Sequence, residues 1–231
     1  MNEWRWAIRI AILGGTGKEG SGLALRWARH EEVTLGSRRA EKAARVSAEL
    51  NERLGANLIR GASNREAAGA AEVAVLTVPY SAHRATLDEV RDALAGKVLI
   101  DVTAPVDPAR PAHLRDAALS AAEEAQEFLG PAVHVAAAFQ TIAFTLLHDL
   151  AASAEGDVLV CSDHADARDA ALHLARRCGF RALEVGPLRH ARVVEGMTPL
   201  LIHLNRRYKV KHAGFGVSGL EGEDQGEGRQ I

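Results

Sequence analysis

Only two of the 231 residues are cysteine, Cys161 and Cys178, and they form no C-x-x-C pair. Two such thiols fit inert buried residues better than a disulfide or a metal site. The ten histidines are scattered, with no H-E-x-x-H and no paired Cys/His spacing, which argues against zinc chemistry. Neither sign of charge is in excess. A formal net charge of -2 gives no global attraction to nucleic acid or to a membrane surface, so any anion site must be local. Long apolar runs are absent as well. The stretch IRIAILGG is broken by Arg9 and too short to cross a bilayer, and MNEWRWAIR carries charge where a signal peptide would be apolar. A cytoplasmic location, without nucleic-acid or membrane partners, is the expectation.

What the chain does have is an ordinary globular composition, 47% hydrophobic and 25% charged. Its length suits one large α/β domain or a domain with a smaller companion. IRIAIL (8–13) reads as a strand and runs into GGTGKEGSG, after which Leu23, Leu25, Trp27 and Ala28 recur with helical spacing. VTLG (33–36), a helix over 39–54 and a short strand at 57–59 follow. VAVLTV (73–78), ended by Pro79, is a continuous apolar strand of the kind buried in parallel sheets. KVLIDVT (97–103), a proline-rich loop, a helix over 112–128 and the strand VHVAAAF (133–139) complete the first part. Beyond Phe139 the pattern predicts a helix in TIAFTLLHDL, a strand at 157–162, an amphipathic helix at 165–178 and a strand at 181–186. A last helix, from Leu188 to about Tyr208, is expected to kink at Pro199.

Strands alternating with helices predict βαβ units around a parallel sheet. The expected architecture is α/β: a Rossmann-type dinucleotide-binding domain over 1–139, then a smaller C-terminal α/β domain over 140–220. The acidic, glycine-rich stretch 221–231 is expected to be a disordered tail.

Gly15-x-Gly17-x-x-Gly20 matches the G-x-G-x-x-G fingerprint, and it stands where that fingerprint has physical meaning, after a strand and opening a helix. The first glycine permits the tight turn, the second lets backbone approach a pyrophosphate, and the third lets helix pack on strand. The helix starting near Lys18 offers free N–H groups and the positive end of its dipole to phosphate. Roughly 20 residues beyond the turn, a NAD site carries an acid for the ribose hydroxyls. Here the second strand runs instead into LGSRRAEK. The Ser37 hydroxyl can donate to a 2′-phosphate, Arg38 and Arg39 can fork onto it, and Lys42 can add a further contact. The cofactor predicted is NADP.

Common dehydrogenase signatures are missing. Tyr80 and Tyr208 have Arg84 and His212 four residues on, so there is no Tyr-x-x-x-Lys, and no lysine begins a Lys-x-x-x-Asn pair. An NADP site without proton-transfer machinery suits hydride passage between two stacked cofactor rings, which needs mainly positioning. On IAILGGTGKEGSGLALRWA, GSRRAEKA, AVLTVPY, AAAFQTI and GPLRHARVVEGMTPLL, the chain up to about Leu220 resembles the NADPH-dependent F-420 reductases. These couple NADP to the deazaflavin coenzyme F-420.

The resemblance implies that Thr16, Gly17, Lys18 and Glu19 line the pyrophosphate turn and that Ser37, Arg38, Arg39 and Lys42 hold the 2′-phosphate. Val78, Pro79 and Tyr80 would border the nicotinamide side of an interdomain cleft. Ala138, Gln140, Thr141 and Ile142 would line the meeting place of the rings, and Met197, Thr198 and Pro199 the deazaflavin pocket. It also implies a homodimer through the C-terminal helix. Some members carry histidine in place of Gln140 and proline in place of Ala143; glutamine hydrogen-bonds but shuttles no proton. Arg206, Arg207, Lys209 and Lys211 either attract the anionic deazaflavin tail over roughly 8 Å or form a solvated helix end. His134, His148, His190 and His203 read as structural. Glu195, on an apolar helix face, is expected to cap or pair. Two other readings fit the same NADP domain: a reductase of a flavin or ferric chelate, and a non-enzymatic NADP sensor.

Overall fold

The computed structural model describes residues 7–107, 109–113 and 118–220. Eight strands form one sheet in the order β3-β2-β1-β4-β5-β6-β7-β8. β1 (Arg9–Leu13), β2 (Glu32–Ser37), β3 (Ile59–Ser63), β4 (Val73–Leu76), β5 (Val98–Asp101) and β6 (His134–Ala137) are mutually parallel. The order 3-2-1-4-5-6 is that of the Rossmann fold, whose ligand crevice opens where the strand order reverses, between β1 and β4. β7 (Asp157–Ser162) then joins β6 antiparallel, through Ala136 opposite Ser162 and Ala137 opposite Cys161, and β8 (Arg181–Glu184) lies parallel to β7.

The sheet is sandwiched, and its strand residues alternate between two cores. Ile10 and Ile12 of β1 face one side with Val73, Val75, Trp27 and Phe139. Ala11 and Leu13 face the other with Ala74, Leu76, Leu99 and Val135. α1 (Lys18–Trp27) and α7 (Ala165–Arg177) cover the first side together. Trp27 joins them: wholly buried, it donates Nε1–H to the Leu174 carbonyl at 2.8 Å and meets Phe139 edge to face at 5.8 Å.

Several boundaries differ from the sequence reading. The strand expected at 57–59 begins only at Ile59, because Asn51 Oδ1 accepts from Leu58 N and Ile59 N and turns the chain there. α3 (Asn64–Ala70) was not anticipated; Ser63 and Glu66 cap it reciprocally. Nor was α4 (Tyr80–Val90), which starts directly after Pro79. The helix expected over 112–128 is α5 (Ala121–Leu129), placed by a second capping box of Ser120 and Glu123; residues 114–117 lie outside the described residues. In TIAFTLLHDL only α6 (Phe144–His148) is helical. α2 (Ala40–Leu54) and α7 agree with expectation, and α8 (Ala191–Tyr208) runs through Pro199. The stretch 221–231 lies outside the described residues.

Candidate functional site

The glycine turn sits at the carboxyl end of β1, at the reversal of strand order. Gly14 takes a left-handed φ of +70°, and Gly15 N donates both to Ile12 O at 3.1 Å and to Gly36 O at 3.0 Å. A Cβ on Gly20 would lie 2.6 Å from the Gly15 Cα and 2.5 Å from Thr77 Oγ1, so only glycine lets α1 start this close to the turn. The bond to Gly36 O brings the end of β2 alongside. There Ser37 is buried, with Oγ accepting from Arg39 N at 3.3 Å, while Arg38 and Arg39 are exposed and Lys42 half-buried. Among the described residues, none of those three cationic side chains has a hydrogen bond or ion pair. They form a local cationic cluster on a chain of almost balanced charge.

A cleft of about 590 Å³ lies beside the turn, a size suited to small ligands. Its walls include Gly17, Lys18 and Glu19 from the turn, Val78 and Pro79 after β4, Gln140, Thr141 and Ile142 after β6, and Thr198 of α8. Those nine expected residues are brought together. Gly15, Thr16, Gly20, Ser37, Arg38, Arg39 and Lys42 form the turn and the cationic cluster beside the cleft. The other four stand back from its surface. Tyr80 donates its hydroxyl to Glu124 at 2.6 Å, Ala138 is wholly buried with N bonded to Asp101 O, Pro199 is buried, and Met197 packs on the second core.

The loop after β6 is held over the turn by α1. Arg26 donates to the carbonyls of Leu146, Leu147 and Asp149, and His148 Nε2 sits 2.8 Å from Lys18 O and 3.2 Å from Ser21 Oγ. Lys18 Nζ lies 4.8 Å above the Phe144 ring. Phe139 opens the loop at φ +72°, a conformation that costs a non-glycine residue about 1–3 kcal/mol and gathers at binding sites. On the far side Thr198 Oγ1 donates to Gln140 O at 2.8 Å, fastening α8 to the loop. Of the basic run after α8 begins to end, only Lys211 reaches the cleft; Arg206 and Arg207 occupy the last helical turn and are exposed.

A buried carboxylate and histidine, passed over in the sequence reading, stand behind the cleft wall. Asp101, fully buried at the end of β5, contacts His83 Nε2 at 2.6 Å through Oδ2 and accepts from Thr103 N at 2.9 Å through Oδ1. Burial works against a proton on His83, but the hydrogen bond and charge of Asp101, with Glu124, outweigh it and raise its pKa. The signal available was IDVT, a carboxylate at the carboxyl end of a central strand. Glu195 does cap: its carboxyl accepts from Ala121 N at 2.8 Å and Ala122 N at 3.2 Å, at the start of α5. Burial, helped by the charges of Asp101 and Glu124, pushes its pKa up to about 8 against the pull of those N–H groups. Glu19 is raised to about 8 by burial alone. Its neutral form would not oppose a pyrophosphate held at the turn.

Three buried side-chain atoms have no hydrogen-bond partner among the described residues: Glu19 Oε1, Thr103 Oγ1 and Gln140 Oε1. All three residues line the same cleft. Buried polar groups are otherwise paired, so unmet groups gathered in one cavity fit a polar ligand.

Residues 9–105 match the sequence profile of the family described as NADP oxidoreductase, coenzyme F420-dependent. The chain is 47% identical over 225 residues to the F420-dependent NADP reductase of Methanothermobacter marburgensis, covering 92% of this chain and 99% of that protein. Its identity to the enzyme of the same name from Methanocaldococcus jannaschii is 36%, covering 93% and 100%. A solved structure described as a putative F420-dependent NADP reductase from Arthrobacter sp. FB24 superposes with a TM-score of 0.78 at 25% identity, covering 92% of this chain and all of that one. With the Rossmann strand order, the glycine turn and the cleft beside it, these likenesses show that the chain belongs to the F420-dependent NADP reductase family.

Proposed function

We propose that the protein transfers hydride between NADP(H) and coenzyme F-420 in the cleft between the glycine turn and the loop after β6. The observation that carries this reading is the junction of a free cationic cluster at the end of β2 with a mostly apolar cleft whose buried polar groups lack partners. Full-length relatives named for both cofactors support it; the flavin, ferric-chelate and sensor readings gain no such support.

In this reading Thr16, Gly17, Lys18 and Glu19 take the pyrophosphate against the start of α1, and Ser37, Arg38, Arg39 and Lys42 take the 2′-phosphate. Val78 and Pro79, with Tyr80 behind them, border the nicotinamide. Ala138, Gln140, Thr141 and Ile142 bound the place where the rings meet, and Thr198, backed by Met197 and Pro199, closes the deazaflavin side. The two bound rings supply the hydride chemistry. The chain's own part is to hold them together in a site that excludes water.

The division into 1–139 and 140–220 follows the same logic, the first segment holding the dinucleotide and the second covering the deazaflavin. Val193 and Leu200, two turns apart on α8, are 63% and 49% exposed, which supports a homodimer through that helix. No helix among the described residues is long and apolar enough to cross a membrane. Both cysteines are free and buried, in keeping with a cytoplasmic setting.

The test is NADPH oxidation followed by absorbance, with F-420 and separately with FMN as acceptor. Rapid loss of deazaflavin absorbance, with FMN and NADH poor, is the expected result. Tight NADPH binding without turnover of F-420 would overturn the assignment of the acceptor.

A further inference from the structure

Two of the three residues with unmet atoms, Gln140 and Thr103, are tied to Asp101. Gln140 and Thr103 are 5% and 4% exposed, and both line the cleft. Gln140 Nε2 donates to the Asp101 carbonyl at 2.8 Å, and Thr103 N donates to Asp101 Oδ1 at 2.9 Å. The Asp101 carbonyl can only accept, so the amide must turn its NH₂ that way and present Oε1 as an acceptor with no donor. The Thr103 hydroxyl, likewise unmet, can donate or accept. The Gln140 amide is not free to turn away, because Nε2 is committed to the Asp101 carbonyl. Thr198 fixes Gln140 through its backbone carbonyl, and His83 holds the Asp101 carboxylate at 2.6 Å. Asp101 and His83 are thus positioning residues behind the wall of the cleft.

We propose that Gln140 Oε1 and Thr103 Oγ1 together read an amide edge, an N–H beside a carbonyl, on the flat heterocycle bound in this cleft. Gln140 takes the N–H, and the Thr103 hydroxyl donates to the neighbouring oxygen. This rests on the functional reading above, which supplies two rings with that edge: the carboxamide of nicotinamide and the pyrimidine-dione side of a deazaflavin. The pair is a specificity device. A buried acceptor left unmet penalises any ring that lacks the donor, as sites built around a hydrogen bond reject analogues without it.

Binding, separate from turnover, tests it. Dissociation constants are measured for NADP⁺, for its 3-acetylpyridine analogue (carbonyl kept, N–H absent) and for oxidised F-420 by its own fluorescence. The proteins are the wild type, Gln140→Leu, Thr103→Val and Thr103→Ser. Gln140→Leu is expected to weaken one ring's binding about tenfold, and Thr103→Val the same ring's, with Thr103→Ser restoring it. If the carboxamide is the edge read, the wild type prefers NADP⁺ to the analogue and Gln140→Leu does not. If the deazaflavin is, only F-420 binding falls. Unchanged constants for both ligands in Thr103→Val and Gln140→Leu would overturn the proposal. Should Gln140→Leu fail to fold, the Val and Ser variants of Thr103 decide alone, since both keep the shape of the floor. Wild-type protein that binds NADP⁺ but neither binds nor reduces F-420 would count against the functional reading, while the analogue comparison still judges Gln140.

Discussion

Replacing Glu19 by glutamine should change how the protein's stability depends on pH. The Glu19 carboxyl sits at the start of α1 with Oε1 covered and unpartnered, and burial lifts its pKa from the ordinary 4.5 to about 8. A carboxyl raised in the fold binds its proton more tightly there than in the unfolded chain. Its contribution is therefore fully present below pH 4.5, wanes as pH rises, and is lost above about 8. Each pH unit in that window is worth about 1.4 kcal/mol, so ionising Glu19 in the fold costs at most about 5 kcal/mol, less what water reaching this half-buried side chain recovers. Gln140 and Thr103 do not titrate, and Glu195, raised over the same range, is common to both proteins and cancels from the difference. Urea unfolding of wild type and Glu19→Gln at pH 5.5, 7 and 8.5 reads the effect. The variant should gain on the wild type steadily as pH rises, by a few kcal/mol across the series. Parallel curves would refute the reasoning, because they would mean that the carboxyl finds a partner or water in the folded protein.

Arg38→Ala with Arg39→Ala should weaken NADPH binding selectively, each lost charge-assisted contact costing about 1.5–3 kcal/mol. An equal loss for NADH, measured by fluorescence titration, would remove the 2′-phosphate from that corner. Gly20→Ala should destabilise the fold by about 1–3 kcal/mol in urea unfolding, because the new methyl would press on the Gly15 backbone 2.6 Å away, which has no flexible end to give. A neutral result would mean that α1 can slide off the turn.

The dinucleotide half was legible because its chemistry is local. GGTGKEG packs the turn and the helix start into seven residues directly after a strand, and the basic reply in SRRAEK follows at the end of the next strand, so spacing alone carries the reading. The residues behind Gln140 were not legible. Asp101, Thr103 and His83 come from two separate segments, and the parallel register of β5 beside β4 and β6 brings them to the loop that carries Gln140. Missed helices had a different cause. α3 is short and alanine-rich, α4 buries only His83, Thr86, Leu87 and Val90, and their starts are marked by a capping box and by Pro79 rather than by an apolar stripe. The apolar face around Glu195 predicts that it caps or pairs, but its partners are backbone N–H groups 73 and 74 residues earlier, which no pattern in its own helix reveals.

The antiparallel seam between β6 and β7 also fixes what kind of machine this can be. Many two-domain dehydrogenases swing one half against the other about a hinge in the connecting backbone. Here the strands that follow the dinucleotide unit are stitched into its own sheet, and Trp27 pins α7 to α1 on top of the seam. A swing would have to tear that ladder. The walls of the cleft are therefore carried by the girders of a single sheet, from the turn after β1 to the loop after β6.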